Sequence, residues 1–158
     1  MHKILAIILI SVFFSTFLKA EVVKQIEISG NKRVSDETVK IYGEIQAGKD
    51  YSEQDLNKIL NNLYSTNFFK DVKISLNNGS LKVGLIEYPV INSLVLLGEK
   101  SNKYKEQIKK IILSKEKDSF IKTNISRDVE LIKKLYSSVG YNLVTVDTKI
   151  SELDNNNK

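Results

Sequence analysis

Residues able to do chemistry are few here, and they are badly placed for it. The single histidine, His2, lies in an apolar N-terminal stretch, and the chain of 158 residues has no cysteine. Nucleophiles activated by histidine, and zinc sites built on His or Cys, are therefore excluded from the remainder of the chain. Carboxylates are the candidates left. Asp36 and Glu37 follow Ser35 as helix-start residues, and Asp71 stands where one periodicity gives way to another, so no two acids are set as general acid and base. No GxxxxGK[ST] phosphate loop occurs, and the glycines fall at turns. The expectation is a non-enzyme with no catalytic residue, no metal site and no cofactor.

The opening MHKILAIILISVFFSTFLKA sets Lys3 before an apolar run from Ile4 to Leu18 and ends on Ala20, the order of a secretory signal peptide over residues 1–20. That run of 15 residues falls short of the roughly 20 that cross a bilayer, which favours cleavage over an uncleaved anchor. An exported chain without cysteine has to be stabilised by its cores alone. Losing Lys3 and Lys19 lowers the net charge from +5 to +3, too small a surplus to mark a nucleic-acid partner. The surplus sits in the second half, where residues 90–158 carry 13 basic and 9 acidic side chains, with Lys103, Lys105, Lys109, Lys110, Lys115 and Lys117 close together. That cluster reads as a solvated helix face; a patch for anionic lipid headgroups is the alternative.

The elements that position these residues occur twice. VVKQIEISG from Val22 and VINSLVLLG from Val90 each alternate apolar residues and stop at a glycine, as strands entering turns do. Ser35 is an N-cap for the helix that follows the first, and Tyr104, Ile108, Ile111 and Ile112 make a helical stripe after the second. A second helix follows in each half, opened by a Ser52/Asp55 capping box in one and by Thr123 or Asn124 in the other. Each closes in matching words, LYSTNFF at 63–69 and LYSSVGY at 135–141, before an alternating strand. Asn67 and Gly140 suit the left-handed backbone that such a corner needs, and Phe69 and Tyr141 are expected to plug the gap between helix end and sheet. In the first half, Asn77, Asn78 and Gly79 form a hairpin turn into a third strand bearing Leu81, Val83 and Leu85. The second half ends in SELDNNNK where that turn would come.

Strand-helix-helix-strand-strand order, the glycine closing strand one, the doubled LYS corner and the IEYP ending resemble the POTRA domain, the polypeptide-transport-associated repeat. Two such repeats behind a signal peptide resemble the N-terminus of the BamA family of outer membrane protein assembly factors. The resemblance covers residues 22–150. It departs from the family at Asn67, where Gly is usual, at Tyr88, where Arg is common, and in the absent third strand of the second copy. The expected fold is α+β: tandem β-α-α-β-β domains over 21–89 and 90–158, each a three-stranded mixed sheet on two helices, the second lacking its third strand. Residues 90–158 are accordingly expected to be a truncated, marginal domain exposing Leu94, Leu96, Val144 and Val146, in an N-terminal fragment of a barrel-bearing protein.

The resemblance implies that strand three is central and strand two is an edge. That edge is Asp71, Val72, Lys73, Ile74, Ser75, Leu76 and Asn77, with Lys73 and Ser75 outward. An open edge accepts an extended polypeptide as an added strand, or merely avoids aggregation, with Lys73 as the deterrent charge. Glu87, Tyr88 and Pro89 are the expected interdomain hinge, since Pro fixes its own φ and biases the preceding residue to extended geometry. The function implied is a periplasmic polypeptide-binding and scaffolding module of an outer-membrane β-barrel assembly factor. Its implied partners are unfolded outer-membrane proteins, accessory assembly lipoproteins and the outer membrane, reached through a C-terminal β-barrel. The alternative is a membrane-tethered structural POTRA protein of a division or secretion complex.

Overall fold

A computed structural model describes residues 21–153, so the expected signal peptide lies outside the described residues. The chain divides into two compact units, with the boundary between Glu87 and Tyr88.

Seven elements build the first unit: β1 (Glu21–Val22), β2 (Gln25–Ser29), α1 (Asp36–Gly43), β3 (Asp50–Tyr51), α2 (Glu53–Ser65), β4 (Phe69–Asn77) and β5 (Ser80–Glu87). Both helices start where their caps dictate. The Ser35 hydroxyl accepts the Thr38 N–H at 3.2 Å, and at the start of α2 Ser52 and Asp55 satisfy each other's backbone N–H groups. The first strand differs from the uninterrupted run expected from Val22. It is broken at Val23 and Lys24 because the Val23 N–H donates to the Lys49 carbonyl and its carbonyl accepts from Gly48. The polar stretch before α2 therefore contains β3, which pairs antiparallel with β1.

The main sheet has the order β2-β5-β4, with β2 parallel and β4 antiparallel to the central β5. Alternation on β5 turns Leu81, Val83 and Leu85 onto the helices, where they pack with Val39, Ile59, Leu63 and Val72 in one buried cluster. At the corner between α2 and β4, Asn67 takes a φ of 58° and delivers Phe69 into the core at 1% exposure, as expected. Gly30 closes β2 at a φ of 87°, and a Cβ there would lie 2.0 Å from the Leu85 carbonyl oxygen, so only glycine lets the two strands approach.

The second unit holds α3 (Asn102–Ile111) and α4 (Lys122–Ser138). Ile91, Ile108 and Ile112 are its buried apolar residues, and Asp128 fastens the loop after α3 by accepting from the N–H groups of Leu113 at 2.6 Å and Ser114 at 3.1 Å. Four expectations are corrected here. Neither 91–97 nor 142–150 forms a strand: the main chain of Ile91 bonds to the loop at Lys117 and Asp118, the Leu94 N–H goes to the Glu116 carboxylate, and among the described residues the second unit has no strand for either segment to pair with. α4 begins without a side-chain cap. Its N-cap is Ile121, whose carbonyl already accepts from Asn124 and Ile125, which leaves Thr123 and Asn124 inside the first turn. Gly140 has the left-handed φ expected, 95°, but Tyr141 is 60% exposed since no sheet stands there for it to plug. Finally, Leu94, Leu96, Val144 and Val146 are half-buried, and the exposure falls on their neighbours Val95, Leu97 and Leu143.

Candidate polypeptide-binding edge

β4 lies at one end of the sheet order, so one of its two sides faces no strand. Which of its residues point their main chain to that side follows from the hairpin. Asn78 and Gly79, with φ of 50° and 77°, form a two-residue turn of the kind that matches strand twist. The residues flanking such a turn, Asn77 and Ser80, are a hydrogen-bonded pair. Alternation then turns Lys73, Ser75 and Asn77 towards β5, and the N–H and C=O of Val72, Ile74 and Leu76 to the open side. An independent contact agrees: the Val72 N–H donates to the Tyr64 hydroxyl of α2 at 3.1 Å.

Side chains follow the complementary rule. Val72 is buried beneath the helices, Ile74 and Leu76 are half-buried, and Lys73 and Ser75 stand exposed on the other face, as their alternation in sequence requires. Asp71, at the start of the edge, accepts from the Tyr64 hydroxyl at 3.3 Å and follows a bulge in the β4–β5 register. The opposite rim of the sheet is shorter. The Gln25 N–H bonds to the Gly79 carbonyl, so only Ile26 and Ile28 of β2 turn their main chain outward. β4 thus offers three outward residues against two, one of them covered by Tyr64. Sequence reasoning missed Tyr64: Leu56, Ile59, Leu60, Leu63 and Tyr64 recur at helical spacing, so Tyr64 reads simply as part of one buried face.

The expected hinge residues divide between the units. Glu87 ends β5, and its carboxylate accepts from the N–H groups of Lys32 at 2.9 Å, Arg33 at 3.0 Å and Val34 at 3.0 Å. Partial burial acts to raise its pKa, but these three donors and the Arg33 guanidinium, 3.9 Å away, outweigh burial and hold it below the usual carboxylate value. Pro89 belongs to the second unit, where its carbonyl accepts from Phe120 at 2.7 Å and Val90 bridges to Ser119. In that unit the Tyr136 hydroxyl donates to Glu99, and burial together with this carboxylate pushes its pKa up to about 12. Among the described residues no cluster of acidic, histidine or cysteine side chains could hold a metal ion, and no helix is long and apolar enough to cross a membrane.

The fold and this edge define a class: a small β-α-α-β-β repeat whose sheet keeps an unpaired strand side. The chain belongs to the POTRA family, whose model, described as a surface antigen variable number repeat, matches residues 21–86 and 89–158. Over 145 residues it is 30% identical to the outer membrane protein assembly factor BamA of Neorickettsia risticii, covering 92% of this chain and 20% of that protein. Over 137 residues it is 27% identical to BamA of Neisseria meningitidis serogroup B, covering 85% of this chain and 17% of that one. The chain thus spans about a fifth of the length of these curated relatives. Among solved structures it is similar to the N-terminal domain of Omp85 from Thermosynechococcus elongatus, with a TM-score of 0.54 and 16% identity over 78% of this chain and 54% of that one. It is also similar to POTRA1-2 of the periplasmic domain of Omp85 from Anabaena, with a TM-score of 0.50 and 15% identity over 84% of this chain and 91% of that one. At such identities the likeness is one of fold.

Proposed function

We propose that this chain is a periplasmic polypeptide-binding and scaffolding module of an outer-membrane β-barrel assembly factor. It would receive unfolded outer-membrane proteins, or accessory assembly lipoproteins, as strands added along residues 71–77. The observation that carries the reading is the open side of β4, where Ile74 and Leu76 present N–H and C=O groups that no hydrogen bond reaches among the described residues. Main-chain pairing of this kind makes small demands on client sequence, which suits a component that handles many chains. Support for the setting comes from the relatives, which are named outer membrane protein assembly factors. Replacing Ile74 by Pro removes an outward donor and distorts the edge, so it is expected to abolish binding of a fluorescent peptide from an unfolded outer-membrane protein, read by anisotropy. Unchanged binding by that variant contradicts the proposal.

We further infer that Glu87, Tyr88 and Pro89 articulate the two units, with the freedom concentrated at Tyr88. The flanking residues are each bonded within their own unit, and Pro89 restricts Tyr88 to extended geometry. So short a link limits the orientations available without fixing one. Small-angle scattering that requires two freely and widely separated bodies would count against this.

A further inference from the structure

We propose that the Tyr64 hydroxyl is a register stop for strand addition: it covers the Val72 position of the edge and confines a docked strand to Ile74 and Leu76. The inference deepens the strand-addition reading and rests on it.

Two hydrogen bonds fix the hydroxyl. It donates its proton to Asp71 Oδ1 at 3.3 Å, which leaves its lone pairs for the Val72 N–H at 3.1 Å. An oxygen accepting that N–H from the open side stands where the carbonyl of an added strand would have to come. The stop is held from behind as well. Tyr64 lies in the last turn of α2, and its own carbonyl accepts from Asn67, the left-handed residue of the corner, at 3.1 Å. Its side is only partly covered, at 39% exposure, so the ring can swing clear without opening the core.

The consequence is a short docking site. Ile74 and Leu76 each offer one outward N–H and one outward C=O, whereas the Val72 donor is already satisfied at no cost in ordering a partner. A strand that extends over Val72 must first displace Tyr64 from both Val72 and Asp71. The edge as built therefore favours brief, exchangeable contact over a long ladder, and a shift of Tyr64 lengthens it by one pair position.

The test uses the full chain and a synthetic peptide of alternating valine and threonine with a lysine at each end. Tyr64→Phe keeps the ring and removes only the hydroxyl. In the free variant the Val72 amide is expected to exchange faster than in the wild type. The variant should then bind the peptide about 2- to 10-fold more tightly by calorimetry, the range set by one neutral hydrogen bond. Exchange protection by peptide should also spread to Val72, whereas in the wild type it is confined to Ile74 and Leu76. Asp71→Ala, which leaves the hydroxyl in place but takes away the acceptor that aims it, should move affinity in the same direction by less. Equal or weaker binding by Tyr64→Phe, or a wild-type complex in which Tyr64 has already been displaced from Val72, overturns the register stop while leaving strand addition standing. Peptide bound by neither protein, or protection only away from β4, overturns both.

Discussion

Glu87→Gln perturbs the first unit at a single, well-defined point. The wild-type Oε1 accepts from Lys32, Arg33 and Val34 at 2.9 to 3.0 Å, and glutamine can keep one oxygen in that place, so what is lost is mainly charge. Hydrogen bonds to charged groups contribute about 1.5–3 kcal/mol and neutral ones about 0.5–1.5, a difference of roughly 1 kcal/mol for each of the three. The donors are not equally protected. Lys32 and Arg33 are exposed and water competes for them, whereas Val34 is only 9% exposed. The 3.9 Å contact to Arg33, 34% exposed, adds little after screening. A net loss of about 1 to 2 kcal/mol at pH 7 is expected, which speeds exchange through unfolding by roughly 5- to 30-fold. The amides of Leu81, Val83 and Leu85, at the centre of this unit's core, report it. The pH dependence has a definite sign. Because the folded pKa is lowered, the carboxylate's contribution is complete above its unfolded value near 4.5 and is lost as pH falls through the folded one. The gap between wild type and variant should therefore close on acidification below about pH 4.5. A variant as stable as the wild type at pH 7, or a gap that persists in acid, refutes the reasoning.

Gly30→Ala sets a Cβ against the Leu85 carbonyl at 2.0 Å in a left-handed conformation, and should cost at least about 2 kcal/mol, seen as a urea midpoint lower by on the order of 1 to 2 M. In the second unit, the amides of Leu96, Val144 and Val146 have no hydrogen-bond acceptor among the described residues and should exchange far faster than those of β5; equal protection in a monomer would mean that another segment pairs with them.

Much of the fold is legible in the sequence because local signals and burial agree. The Ser35 and Ser52 caps, the alternation of Val72, Ile74 and Leu76 and the left-handed corner at Asn67 are all fixed by near neighbours in the chain, and each stands as read. Long-range partners decide the rest. Whether Val22 to Ser29 is one strand or two depends on Gly48 and Lys49, which no period in the segment itself reveals. In the second unit, burial alternates from Leu94 to Leu97 without making a strand, since alternation specifies a face and a strand also needs a bonded neighbour. The edge was readable as a run of residues. Its covering by Tyr64 was not, because a tyrosine in an apolar helical stripe shows its ring in the pattern and conceals the reach of its hydroxyl.

Client chains are proposed to pair with the open side of β4. Titration of the isotopically labelled chain with a peptide from an unfolded outer-membrane protein, followed by amide resonances, tests it most directly. The largest shifts are expected at Ile74, Leu76 and their neighbours in β4, with β2 residues Ile26 and Ile28 nearly still. Shifts confined to the lysine-rich helix α3 around Lys109, with β4 unmoved, would contradict it.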